Sequence, residues 1–174
     1  GVRFVKVSDD ESSGQDASRL RLNITCSSLI AEGTASDSIY FVSNAGSPGD
    51  DEWYGIYNGW DIGTVRLSYV SYRHASYVFK GYLGFYGNES DSLRITHSHF
   101  RDMGSNVFEN LNAYSAARVT ISNNTFSDYS SFSSNTVYVY SGTLLRIENN
   151  MFNDGDLGRY EVGGDTTQFY FRNM

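Results

Sequence analysis

The sequence predicts an all-β solenoid, a single chain wound into coils of about 26 residues, and three observations predict it. A short block recurs at a near-constant interval. Each copy alternates apolar and polar residues and then turns. The composition is that of strands and tight turns, with 17 Gly, 14 Tyr and 11 Phe but one Pro in 174 residues. β-branched and aromatic residues favour strands, and Gly, Asn and Ser favour the turns between them.

The repeat carries most weight, because periods of roughly 20 to 50 residues are the mark of stacked architectures. Four blocks superpose without gaps: Val65–Tyr72, Leu93–Phe100, Val119–Phe126 and Leu145–Phe152. Their anchors Leu67, Ile95, Ile121 and Ile147 are 28, 26 and 26 residues apart, and Phe171 anchors a fifth copy near the end of the sequence. The alternation within each block is that of a half-buried strand. Coils stacked at the strand spacing of ~4.8 Å pile equivalent residues into columns. Leu67, Ile95, Ile121, Ile147 and Phe171 are expected in one interior column. Val65, Leu93, Val119, Leu145 and Phe169 form a second, and Tyr72, Phe100, Phe126 and Phe152 an aromatic stack. No coil buries these side chains alone; its neighbours supply the other wall. The leucine-rich repeat has a similar period, but its Leu-x-x-Leu-x-Leu frame and a helical stripe are both missing.

The N-terminal third is less regular. Residues 19–30 and 38–43 alternate as strands, and Phe41, 26 residues before Leu67, is expected to begin the same column. Gly46–Glu52 and Asp9–Asp16 read as polar loops. Val2–Val7 already reads as a strand and Phe169–Met174 as an unfinished coil. The whole chain, 1–174, is therefore expected to be one β-helix domain that is a fragment, a module of a longer protein or a stacking subunit.

The block Leu29-Ile30-Ala31-Glu32-Gly33-Thr34-Ala35-Ser36, then Ile39-Tyr40-Phe41-Val42-Ser43, then Trp53-Tyr54-Gly55-Ile56, resembles coils of right-handed parallel β-helix proteins, the pectate-lyase-like superfamily, in their bacterial secreted members. Ser38 stands where Pro is usual there, and Val42 where Thr is usual. The resemblance implies a right-handed parallel β-helix and an extracellular or cell-surface location. It implies no catalytic assignment, since members range from lyases to adhesins.

The formal charge is −7, and the 13 basic residues are scattered along the sequence, so nucleic acid is not an expected partner. No run approaches the roughly 18 apolar residues of a membrane-spanning helix, so membrane insertion is not expected either. The single cysteine, Cys26, excludes an intrachain disulfide and reads as a small buried apolar residue.

Four positions could carry chemistry. His74, Asp102, Asp128 and Asp154 each follow the aromatic by two residues and form an equivalent column. Carboxylates on successive coils, about 5 Å apart, have the spacing of a retaining glycosidase pair. They could instead ligate Ca²⁺ through oxygen, or simply open each turn. Tyr69, His97, Asn123, Asn149 and Asn173 form another column, and Asn123, Asn149 and Asn173 resemble the asparagine ladder of the superfamily. His97 and His99 alternate along one strand, but no third ligand joins them for zinc. The superfamily's Asn-Thr-Asp and Gly-His-Gly signatures are missing. Trp53, Tyr54, Tyr57 and Trp60 are the candidate carbohydrate-stacking platform.

The leading expectation is a non-catalytic extracellular structural or adhesive module: a spacer, adhesin segment or filament subunit that associates end to end with itself or with flanking modules, and needs no cofactor. The alternatives are a polysaccharide lyase or glycoside hydrolase, and carbohydrate binding without catalysis.

Overall fold

A computed structural model describes residues 1–6, 19–24, 27–49, 51–58, 62–83, 91–113, 117–133, 137–139, 144–156, 160–162 and 168–172. Strand follows strand, with no helix among the described residues. The strands fall into six successive groups. The first is Arg3–Lys6 (β1), Leu20–Ile24 (β2) and Ser27–Glu32 (β3). The second is Ile39–Ser43 (β4), Trp53–Asn58 (β5) and Ile62–Ser68 (β6). Val70–Ala75 (β7), Phe79–Leu83 (β8) and Asp91–Thr96 (β9) follow, then His99–Met103 (β10), Asn106–Ala113 (β11) and Arg118–Ser122 (β12). The fifth group is Thr125–Ser127 (β13), Ser131–Ser133 (β14), Val137–Val139 (β15) and Leu144–Glu148 (β16). The sixth is Met151–Asn153 (β17), Tyr160–Val162 (β18) and Gln168–Arg172 (β19).

Equivalent strands pair in parallel. One sheet runs β3-β6-β9-β12-β16-β19. The other has two limbs: β1-β4-β7-β10-β13-β17, and β2-β5-β8-β11 continuing to β14, β15 and β18. The chain thus returns to the same limb after each circuit, an arrangement compatible with a solenoid.

Register places the repeat anchors side by side: Leu67 with Ile95, Ile95 with Ile121, Ile121 with Ile147, and Ile147 with Phe171. Val65, Leu93, Val119, Leu145 and Phe169 form the adjoining column. Side chains of the first four members of each column are buried, each contributing about 1.5–3 kcal/mol.

Phe41 does not begin the Leu67 column. Ala31 pairs with Leu67, whereas Phe41 pairs with Phe4 and Tyr72. Later corners between the two sheets turn on one residue before the register resumes, but the first uses residues 33–38 and a longer loop follows it, so counting back one period lands in the next strand. Phe41 instead joins the aromatic column Phe4, Phe41, Tyr72, Phe100, Phe126 and Phe152. Phe100, Phe126 and Phe152 stack nearly parallel with centroids 5.1 and 5.2 Å apart.

Tyr72 is the one hydroxyl in that column. It is 1% exposed, and its oxygen has no hydrogen-bond partner among the described residues. Burial, and then the neighbouring Tyr77, push its phenol far above the usual range. Tyr72→Phe removes an unsatisfied buried group, so it is expected to stabilise the fold by about 1 kcal/mol, an increase in Tm of roughly 2–4 °C. A thermal melt that shifts downward would show that the hydroxyl is satisfied in solution.

Two tyrosines close over glycines. Tyr77 lies across Gly55, whose φ is +130°. Tyr129 lies across Gly155, and its phenol is pushed up to about 12 by burial, then by Asp156.

Candidate functional site

From β6 onward the chain turns at two corners per circuit on a residue with left-handed backbone. Tyr69, His97, Asn123 and Asn149 occupy the first corner with φ of 52–58°. His74, Asp102, Asp128 and Asp154 occupy the second, at 54–59°. Asn, Asp and His tolerate this conformation better than other residues with a Cβ. That conformational demand accounts for both sequence columns without any shared chemistry.

At the first corner the left-handed residue points outward, and the next residue turns in. The buried amides are therefore Asn124 and Asn150, not Asn123 and Asn149, which are exposed. Asn173 lies outside the described residues. The Asn124 Oδ1 accepts from the Ser98 N–H at 2.9 Å, and its Nδ2 donates to the Ile95 carbonyl at 2.9 Å and to Asn150 Oδ1 at 3.0 Å. Asn150 Oδ1 also accepts from the Asn124 N–H at 3.0 Å, and its Nδ2 donates to the Ile121 carbonyl at 2.8 Å. One coil earlier, Ser98 substitutes: its Oγ accepts from the Val70 N–H at 3.0 Å and donates to the Thr96 carbonyl at 2.8 Å. The ladder is structural, since each amide satisfies backbone groups sealed from water.

At the second corner the structure shows partners for one of the candidate carboxylates. Asp102 receives a hydrogen bond from Arg101 Nε at 2.9 Å, and His74 Nε2 stands 3.9 Å from the same carboxylate oxygen. Asp128 and Asp154 are exposed. Among the described residues, no three His, Cys, Asp or Glu side chains are grouped to hold a metal.

The aromatic platform is also redistributed. Trp53 is 3% exposed, edge-on to Phe41, with its indole N–H donating to the Val42 carbonyl at 3.1 Å. Its ring belongs to the core and offers no surface to a sugar. Tyr54 and Tyr57 are half-buried, and arginines cover them: Arg19 lies 4.4 Å over Tyr54 and Arg21 4.8 Å over Tyr57. Trp60 lies outside the described residues.

The concave surface lies elsewhere. A groove of about 600 Å³ runs between the 33–38 corner and the outward faces of β4, β7 and β10, lined among others by Tyr40, Tyr69, Ser71, Arg73, His97 and His99. A neighbouring hollow of about 420 Å³ shares Tyr40, Ser71 and Arg73 and adds Arg3. Tyr69 and His97 stack at 5.0 Å and form one wall, and Tyr40 is 42% exposed. Among the described residues that line either hollow, none is a carboxylate. In a chain of net charge −7, that is a local reversal of sign. Of this set, Tyr69, His97 and His99 stood out in the sequence. The others are ordinary outward strand residues, brought together by register: Arg3 beside Tyr40, Tyr40 beside Ser71, Ser71 beside His99.

The basic residues are scattered in sequence but not in space. Arg66, Arg94, Arg118, Arg146 and Arg172 all stand on the outward face of the six-stranded sheet, five of the chain's 13 basic residues. The signal was present at the repeat interval: Arg66, Arg94 and Arg146 fill one equivalent position, with Thr120 between the last two.

A scan against protein-family models, a search of curated proteins and a search of solved structures each found no match to this chain.

Proposed function

We propose that the chain is a coil stack of a right-handed parallel β-helix, akin to the pectate-lyase-like superfamily, serving as a non-catalytic extracellular module of structural or adhesive kind. The observation that carries this reading is the pair of left-handed corner columns. Each acidic candidate repeats a conformational role coil after coil, and Asp102 is already engaged by Arg101. Nothing in that column is singled out as an acid or a base. Parallel edge strands are templates for further pairing, so the partner in this reading is another coil stack, from the same protein or a second copy.

A panel of acidic and neutral polysaccharides should show no turnover, and Asp128→Asn should change nothing. Turnover lost in Asp128→Asn would replace this reading with a hydrolase or lyase. Electron microscopy should show rods that lengthen with concentration.

The groove favours a second role, carbohydrate binding without catalysis. An exposed Tyr40, the stacked Tyr69–His97 pair and Arg73 offer ring faces and a fixed cation in one concavity. On a glycan array, Tyr40→Ala and Arg73→Ala should each remove the signal of the wild-type chain. Signal that survives both would place any sugar contact outside the groove.

A further inference from the structure

We propose that the outward face of the six-stranded sheet docks a linear sulfated polysaccharide, with its sulfate esters bridging arginines of adjacent strands. Arg66 and Arg94 are direct register partners on β6 and β9. Like charges directly opposite on neighbouring strands repel. Glu32 stands diagonal to Arg66 and Asp91 is the register partner of Arg118, but among the described residues Arg66, Arg94 and Arg118 form no ion pair. The Arg66 Nε is also buried without a hydrogen-bond partner. The contrast is the other in-register pair, Arg73 and Arg101, where Asp102 binds Arg101.

Strand spacing sets adjacent arginines ~4.8 Å apart at the backbone. A sulfate ester has one negative charge and three terminal oxygens, so it can accept from two guanidinium forks at once. A carboxylate has two oxygens and is matched by a single fork. A phosphodiester also has only two free oxygens. Hydroxyls complete the surface. Half-buried Ser68 and Ser122 stand beside the arginines in a column that also holds Glu32, the buried Thr96, Glu148 and Arg172, and Thr120 stands between Arg94 and Arg146. At the far end of the arginine column Arg146 lies 5.2 Å over Tyr170 and Arg172 5.1 Å over the same ring. The ligand would run along the stack, crossing strands rather than following one.

Titration calorimetry with dextran sulfate, unmodified dextran, alginate and single-stranded poly-dT tests the proposal. Dextran sulfate should bind at least about tenfold more tightly than alginate or poly-dT, and its binding should weaken as salt is added. Arg66→Gln with Arg94→Gln should weaken it by a further tenfold or more, on the order of one lost charge-assisted contact. Because the Arg66 stem is partly buried, Arg94→Gln with Arg118→Gln provides a second test using two exposed positions. Arg101→Gln, on the other sheet, should bind as the wild type does. Equal loss in Arg101→Gln, undiminished binding in both double variants, or equal affinity for alginate or poly-dT would overturn the proposal.

Discussion

Asn124→Val is expected to lower stability by about 3 kcal/mol, because it leaves the Ser98 N–H unpaired in the interior and takes the amide donor from the Ile95 carbonyl. The Asn150 amide oxygen also loses one of its two donors. Valine fills similar space, so the loss is polar rather than steric. In a chain of this length the shift is roughly 6–12 °C in Tm. Asn123→Gly provides the control. Asn123 is exposed and left-handed, a conformation glycine adopts freely, so that variant should melt within about 1 kcal/mol of the wild type. Thermal melts of the two variants side by side decide which asparagine bears the ladder. If Asn123→Gly costs more than Asn124→Val, the ladder has been assigned to the wrong residue.

Gly55→Ala is expected to do comparable or greater damage by a different route. A Cβ there would sit 2.3 Å from the Tyr77 ring and 2.6 Å from the Tyr77 carbonyl oxygen. The ring could rotate away, but the carbonyl is backbone, held in the stack. At φ +130° any side chain is strained as well. The combined cost is on the order of 3–5 kcal/mol. Adding Tyr77→Ala should recover little of it, because neither the carbonyl nor the dihedral changes. Gly46→Ala, with nothing within 4 Å of the added carbon, should be silent. Urea melts of the three variants test the assignment, and full rescue by Tyr77→Ala would mean that the ring alone excluded the side chain.

Much of the fold was legible in the sequence because the repeat converts distance along the chain into adjacency. Once Leu67, Ile95, Ile121 and Ile147 are aligned, their columns follow, and so does the aromatic column from Tyr72 to Phe152. Sequence and structure part where identity of residue type conceals a difference in backbone. In an Asn-Asn pair both amides look alike, and only the left-handed dihedral of the first decides which faces inward. Trp53 reads as a platform by its chemistry, yet strand alternation sends it to the core beside Phe41. Phe41 stands beside Tyr72 instead of Leu67 because the first corner is longer than the rest. The candidate surfaces were harder to see. Arg73, Tyr40 and Ser71 carry no motif, and the arginine face becomes visible only when basic residues are read down the repeat instead of along the chain.

The unequal corners also set where this architecture tolerates new sequence. Between β6 and β7 only Tyr69 separates the strands, so one inserted residue would exchange inside for outside along all that follows. The 33–38 corner already accommodates several surplus residues on the solvent side, where Thr34 and Asp37 close a small antiparallel bridge of their own. It is the natural point at which a foreign epitope or binding peptide could be spliced in while the neighbouring rungs keep their alignment.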